Sequence, residues 1–196
     1  MPLCGAQWFG DRLRPFFIQV LFMDNYLIVL AATAECPLKY NDIIVYSALL
    51  YRENNQRVKK SIRNLVKISG LGRYAVSDCL FNLKDYGLYE DGHPQKAPVG
   101  WFNAANNKVG FQYFLFCPPS AKSPLSFNQH LIYSLVLHLH KQGKVITAAY
   151  LAKLLKFERH TITANCKALI KNKLIDDAFN VLPLSAEQDG WSINNK

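Results

Sequence analysis

Apolar residues recur with helical spacing in three consecutive segments between residues 41 and 86. Asn41 is the expected N-cap of the first segment, and the asparagine pair that follows residue 53 is expected to end it. The second segment begins at Ser61 and ends at Gly70, where glycine adopts positive φ at low cost. The third covers residues 73–86 and a glycine follows it. The pattern predicts three helices, with inward positions that include Ile62, Leu65, Val76 and Leu83.

The same pattern returns in the second half of the chain. Residues 38–47 (LKYNDIIVYS) match residues 125–134 (LSFNQHLIYS) at an offset of 87, and the apolar positions that follow recur at an offset of 86. The predicted helices of this half cover residues 128–141, 147–155 and 159–172. Two earlier apolar runs, residues 17–22 and 111–116, are expected to extend the match upstream. The recurrence predicts an internal duplication.

Short β segments are predicted after each third helix. In the first half, residues 99–102 are expected to pair with residues 109–114 across an asparagine-rich turn, which gives a long hairpin. In the second half the corresponding hairpin is short and a polar tail follows it. These segments divide the chain into a leader (residues 1–36), a first domain (37–117), a Pro/Ser linker (118–124) and a second domain (125–196).

The leader contains a largely apolar run from residue 16 to residue 34. Its end, with Ala32 and Ala34, is similar to a signal-peptide cleavage site, but Asp24 interrupts the run and opposes export. The two remaining pieces are too short to span a bilayer. We therefore expect a buried strand that packs on the first domain, a cytoplasmic protein and no membrane partner.

Charge adds a first indication of function. The chain carries a net charge of +9, and half of its residues are hydrophobic, which excludes a disordered chain. The leader has 2 basic and 3 acidic residues, whereas residues 37–100 have 10 and 6 and residues 101–196 have 11 and 5. Both predicted domains are therefore basic, which favours a polyanionic partner. The five cysteines form no CxxC pair, and they predict free thiols in a reducing compartment rather than a zinc site.

One segment carries a family resemblance. Residues 65–88, LVKISGLGRYAVSDCLFNLKDYGL, resemble the winged helix-turn-helix pattern, in which a small turn separates two helices and a GL dipeptide opens the wing. The resemblance implies a mainly α fold with small β-wings, made of two tandem winged helix-turn-helix domains. It is weaker in the second half, where Lys156 replaces the turn glycine. That replacement costs on the order of 1 kcal/mol if Lys156 adopts positive φ.

In this family the third helix enters the major groove of double-stranded DNA, and its outward residues reach base edges. In the second domain the resemblance assigns this role to Arg159, His160, Thr161, Thr163, Lys167 and Lys171. In the first domain the outward residues would be Arg73, Tyr74, Ser77, Asp78, Phe81 and Lys84, among which Asp78 opposes phosphate. The second helix crosses the DNA backbone, which implies phosphate contacts for Lys59, Lys60 and Arg63.

Tandem winged helices on one chain resemble the internal pseudo-dimers of plasmid and phage replication initiators, and similar domains occur in transcriptional regulators. The resemblance implies a sequence-specific double-stranded DNA-binding protein that controls replication initiation or transcription of a mobile element. No cofactor, metal or catalytic activity is expected, and a homodimer is compatible with this function.

Two alternatives stay open. The first is a protein-interaction adaptor with Tyr74, Phe81 and Trp101 as anchors, which would bind a protein partner. The second is a metal-dependent nicking enzyme, because His138-Leu139-His140 resembles the His-apolar-His motif of rolling-circle nucleases. That motif belongs on a strand, and on the predicted helix the two histidines diverge by about 200°.

Overall fold

The computed structural model describes residues 26–55, 61–103, 113–119 and 123–183. The chain divides into two compact units, Met1–Gln112 and Tyr113–Lys196. The described residues are mainly helical, with six helices and only short strands. A mainly α protein with small β elements was predicted, and this coarse architecture is confirmed.

The first unit begins, within the described residues, with a strand that precedes three helices and a small hairpin. These elements are β1 (Leu27–Leu30), α1 (Tyr40–Asn54), α2 (Ile62–Ser69), α3 (Arg73–Asp85), β2 (Tyr89–Glu90) and β3 (His93–Pro94). Helix α1 is the centre of the unit, because β1, α2, α3 and β3 all pack against it. Leu27 and Val29 alternate with less buried residues along β1, so one face of the strand lies on the helix.

Local signals explain the helix ends. Ser61 caps α2 by accepting a hydrogen bond from the Asn64 N–H (3.3 Å), as expected. Helix α1 instead begins one residue before Asn41. Its N-cap is Lys39, whose N–H donates to Asp42 Oδ2 (3.1 Å). Ile62, expected to face inward, is 40% exposed because it opens α2 at the surface.

The second unit contains a strand followed by three helices. They are β4 (Tyr113–Phe116), α4 (Phe127–Lys141), α5 (Ala148–Leu155) and α6 (Arg159–Lys171). Helix α4 is central and almost continuously buried from Leu131 to Val136. After α6, Ile175 pairs with Val181 in an antiparallel bridge. The turn between them is closed by Asp176 Oδ1, which accepts hydrogen bonds from the N–H groups of Ala178 and Asn180.

The two units repeat one order of elements with equal lengths. In each, a strand precedes helices of 15, 8 and 13 residues. One hydrogen bond is also repeated: the Leu30 N–H donates to Ser47 Oγ, and the Cys117 N–H donates to Ser134 Oγ, both at 3.3 Å. The matching strand segments in the described residues are therefore 26–30 and 113–117. The match expected between residues 17–22 and 111–116 stays a prediction, because residues 17–22, 111 and 112 lie outside the described residues.

The predicted long hairpin of the first unit is not seen among the described residues, and part of its second strand, residues 109–112, lies outside them. The hairpin that forms is β2–β3, with Tyr89 opposite Pro94 and Glu90 opposite His93. Asp91 and Gly92 both have positive φ (49° and 84°), as a tight two-residue turn requires. Phe102 pairs antiparallel with Ala32.

The boundary between the units also differs from the one expected. Strand β4 was assigned to the first domain as part of its hairpin, but it packs on α4 of the second unit. Phe114 and Phe116 are both fully buried there, and Phe116 makes an edge-to-face contact with Phe127 at a centroid distance of 5.4 Å. Burial of these two aromatic rings therefore places the strand in the second unit.

Candidate nucleic-acid interface

Helix α6 has one apolar side and one polar side. Ile162, Cys166 and Leu169 are buried and attach the helix to its unit, and burial raises the pKa of Cys166 to about 11. The predicted site residues on the other side are exposed, with one exception. The exposed ones are Arg159, His160, Thr163, Lys167 and Lys171.

Thr161 is the exception, since it is half-buried although an outward position was expected. It directly precedes the buried Ile162, and successive helix residues are only about 100° apart, so it lies at the edge of the packed side. Thr163 is exposed, but its hydroxyl donates to the Arg159 carbonyl (2.9 Å). His160 Nδ1 lies 3.1 Å from Glu158 Oε2, and both side chains are exposed. The charged donors Arg159, Lys167 and Lys171 are therefore the better candidates for contacts with a polyanion.

Basic residues continue on both flanks of α6. Lys153 is exposed on α5, Lys156 is exposed in the turn before α6, and Lys173 is exposed just after it. None of these three lysines is among the site residues predicted from the sequence. From residue 153 to residue 173 the chain holds six basic residues and a single acidic one, Glu158. The region is therefore strongly basic at neutral pH.

Helix α3 has the same packing but a different outer surface. Arg73, Ser77 and Lys84 are exposed as predicted. Two aromatic rings are also exposed, with Tyr74 at 87% and Phe81 at 67%. Asp78 and Asp85 are exposed on the same helix and balance its two basic residues. This surface is aromatic and close to neutral, so it suits phosphate less well than that of α6.

Helix α2 supplies the remaining predicted contacts. Arg63 is exposed on it, and Lys67, one turn further along, is exposed as well. Lys59 and Lys60 lie outside the described residues, so their predicted role stays a prediction. In the described residues, α2 therefore adds positive charge beside the neutral surface of α3.

The turns before α3 and α6 have the same backbone conformation. Gly70 has φ 72° and its N–H donates to the Val66 carbonyl, whereas Lys156 has φ 52° and its N–H donates to the Ala152 carbonyl. Lys156 therefore does adopt positive φ, the condition on which the cost of replacing the glycine depends. A lysine there is strained by about 1 kcal/mol relative to glycine.

The histidine motif lies on a helix. His138 and His140 are both in α4, where His138 is half-buried and His140 is exposed. Among the described residues, no group of three His, Cys, Asp or Glu side chains is arranged to hold a metal ion. Another histidine, His130, has its Nε2 2.6 Å from Ser123 Oγ, a pair the sequence did not suggest. Ser123 Oγ also accepts the Leu125 N–H (3.2 Å), so the pair anchors the segment that leads into α4.

No protein-family model matches the chain, and it matches no curated protein and no solved structure. Within the part of the chain that the structure describes, no helix combines the length and the apolar character needed to cross a bilayer.

Proposed function

We propose that each unit is a winged helix-turn-helix domain, that the two arose by duplication, and that the protein binds double-stranded DNA with sequence specificity. The observation that carries the proposal is the outer surface of α6, where Arg159, Lys167 and Lys171 are all exposed. A short helix and a tight turn precede α6. The repeated strand and helices support the duplication.

The dimensions of α6 suit the major groove. An α-helix with its side chains is about 10–12 Å wide, and the groove is about 12 Å wide. Arg159 is in the first turn of α6, the part of a recognition helix that reaches base edges. Its guanidinium can donate two hydrogen bonds to one guanine, which makes it our candidate for sequence reading.

The remaining basic residues act on the backbone in this proposal. Lys167 and Lys171 lie further along α6, and Arg63 and Lys67 lie on α2 of the first unit. Positively charged groups at such places neutralise phosphates and displace counterions, which adds affinity without sequence preference. In this proposal the protein controls replication initiation or transcription of a mobile element.

The test is selection from a random duplex DNA pool by the purified protein at two salt concentrations, followed by sequencing. We expect an enriched motif and an affinity that falls steeply as salt rises. Arg159→Ala should weaken binding to the enriched site by about 1–3 kcal/mol and change binding to unrelated duplex little. Arg73→Ala, at the same place in α3, is the matched variant and should have the smaller effect on the enriched site. Absence of enrichment at both salt concentrations would overturn the proposal.

The exposed rings of α3 favour one other function. Tyr74 and Phe81 are the kind of aromatic anchors that dominate protein interfaces, and Trp101 lies against Tyr86 in an edge-to-face contact at 5.8 Å. In this second candidate the chain is an adaptor that binds a protein through α3. The adaptor function predicts that no DNA motif is enriched. It also predicts that binding to the protein partner changes little with salt and is lost in Phe81→Ser.

A further inference from the structure

Two lysines of the second unit occupy backbone positions that glycines occupy in the first. Lys156 (φ 52°) follows the 8-residue helix α5, as Gly70 (φ 72°) follows α2. Lys173 (φ 54°) follows the 13-residue helix α6 at the place where Gly87 (φ 66°) follows α3. An L residue with a β-carbon is strained in this region, and Lys lacks the short polar side chain that makes the region accessible to Asn or Asp.

The turns themselves do not need a lysine side chain. The N–H groups of Gly87 and Lys173 donate to the carbonyls of Lys84 and Ile170, both at 2.9 Å. The next N–H in each turn, that of Leu88 or Leu174, donates to the carbonyl of a buried leucine. Since glycine closes the same turn in the first unit, the lysines add strain there without adding a backbone hydrogen bond. Both lysines are exposed, so each places a positive charge at the surface.

Their positions mark the two ends of α6. Lys156 is three residues before Arg159, and Lys173 is two residues after Lys171. Thirteen helical residues span about 20 Å at 1.5 Å per residue, which exceeds the groove width of about 12 Å. If a helix of this length lies across the groove, its two ends come near the two phosphate chains that bound it. Strained residues persist where function holds them, and contact with these chains is a function that both positions allow.

We propose that Lys156 and Lys173 are phosphate-binding residues that clamp the two DNA strands on either side of α6. This inference rests on the proposed duplex binding of the second unit, and it adds two residues to the interface. The ammonium groups contact phosphate oxygens as point charges, so the clamp adds affinity for any sequence and no base preference.

The test uses Lys156→Gly, Lys173→Gly and the double variant of the full chain. Because glycine fits the left-handed region, each single variant should raise the Tm of the second unit, by about 4 °C for a strain of this size. Binding should change in the opposite direction. Each lost phosphate contact should lower the slope of log K against log salt by about one, which is roughly eightfold in affinity at 0.1 M salt.

Two matched variants separate charge from backbone. Lys156→Arg keeps the charge and the strain, and should keep the wild-type salt slope. Lys96→Gly removes an exposed lysine of the first unit far along the chain from α6, and should leave both the slope and the Tm of the second unit unchanged.

The outcomes distinguish the two proposals. Failure of the wild-type protein to bind duplex DNA would overturn the proposed function and the clamp with it. Wild-type binding with unchanged slopes in both glycine variants would overturn the clamp alone. A loss of affinity accompanied by a lower Tm would also count against the clamp, since the change would then be a loss of fold.

Discussion

Helices α3 and α6 have the same length and the same inner positions but different outer ones. Val76 and Leu83 of α3 are fully buried, and so are Ile162 and Leu169 of α6. On the outside, Phe81 of α3 stands where α6 has a lysine. Packing therefore constrains one side of each helix, while the other side is free to differ. The fold of a unit therefore does not determine its partner, which depends on the exposed residues.

Exchanging the exposed residues of the two helices should have the largest effect on DNA binding. The triple variant Ala164→Asp, Lys167→Phe, Lys171→Asp gives α6 the surface of α3. We expect its affinity for duplex DNA to fall on the order of a hundredfold, because two phosphate contacts are lost and two carboxylates repel the backbone. Binding to the selected duplex at fixed salt measures this effect.

The reciprocal exchange provides the control. Asp78→Ala, Phe81→Lys, Asp85→Lys should raise non-specific duplex affinity, since the changed positions are all exposed. Thermal unfolding of both variants should stay close to wild type, because no buried residue changes. If the first exchange left duplex affinity intact, α6 would not be the contact helix.

A smaller effect, on stability, is expected at a hydrogen bond that the two units share. Ser47 and Ser134 are buried, and each accepts a hydrogen bond from a strand N–H at the same distance. Ser47→Ala and Ser134→Ala should each cost about 1–2 kcal/mol, because a strand N–H loses its acceptor. Denaturant unfolding, with hydrogen exchange of the Leu30 and Cys117 amides to identify the unit, measures the cost.

The exposed Ser77→Ala serves as the control for stability and should cost less than about 0.5 kcal/mol. A large effect at one buried serine and none at the other would show that the strand and the central helix pack differently in the two units.

The helices could be predicted from the sequence because their signals are local. Ser61 and Thr147 each cap the helix that follows them, and the glycine after Ser69 ends α2. The apolar positions also repeat with the period of a helix, so each inner side was visible before the structure. The predicted bounds consequently differ from the observed ones by only one or two residues.

The strand partners could not be predicted in this way. The apolar residues Val99, Trp101 and Phe102 favour a strand, but they do not say which segment it pairs with. The structure pairs Phe102 with Ala32, 70 positions earlier in the chain. A stronger local signal was the Asp91-Gly92 dipeptide, which favours a two-residue hairpin turn.

The candidate site was predicted in part. The outward residues of α3 and α6 follow from helical periodicity, and all but Thr161 are exposed. Lys153, Lys156 and Lys173 were not assigned to it, although the offset that aligns the helices also aligns Lys156 with Gly70 and Lys173 with Gly87. A lysine in place of a turn glycine was treated as a cost to the fold, and its charge at the end of a recognition helix was not considered.

The smallest expected effect concerns pH and again distinguishes the units. Burial lowers the pKa of His138, and the charges of Lys144 and Lys141 lower it further. Burial also lowers the pKa of His130, although a hydrogen bond to the Cys117 backbone opposes this. As pH falls below the ordinary histidine value of 6.5, the unfolded chain binds protons before the folded one. The stability that these histidines contribute is present above pH 6.5 and is lost as pH falls through their folded pKa values.

We therefore expect the second unit to lose more stability than the first between pH 7.5 and pH 5.5. Thermal unfolding at the two pH values, followed through amides of each unit, measures the difference. His138→Gln should reduce the pH dependence of the second unit, because the glutamine has no proton to gain. Equal acid sensitivity of the two units in the wild-type protein would contradict the assignment, since the half-buried histidines His130 and His138 both belong to the second unit.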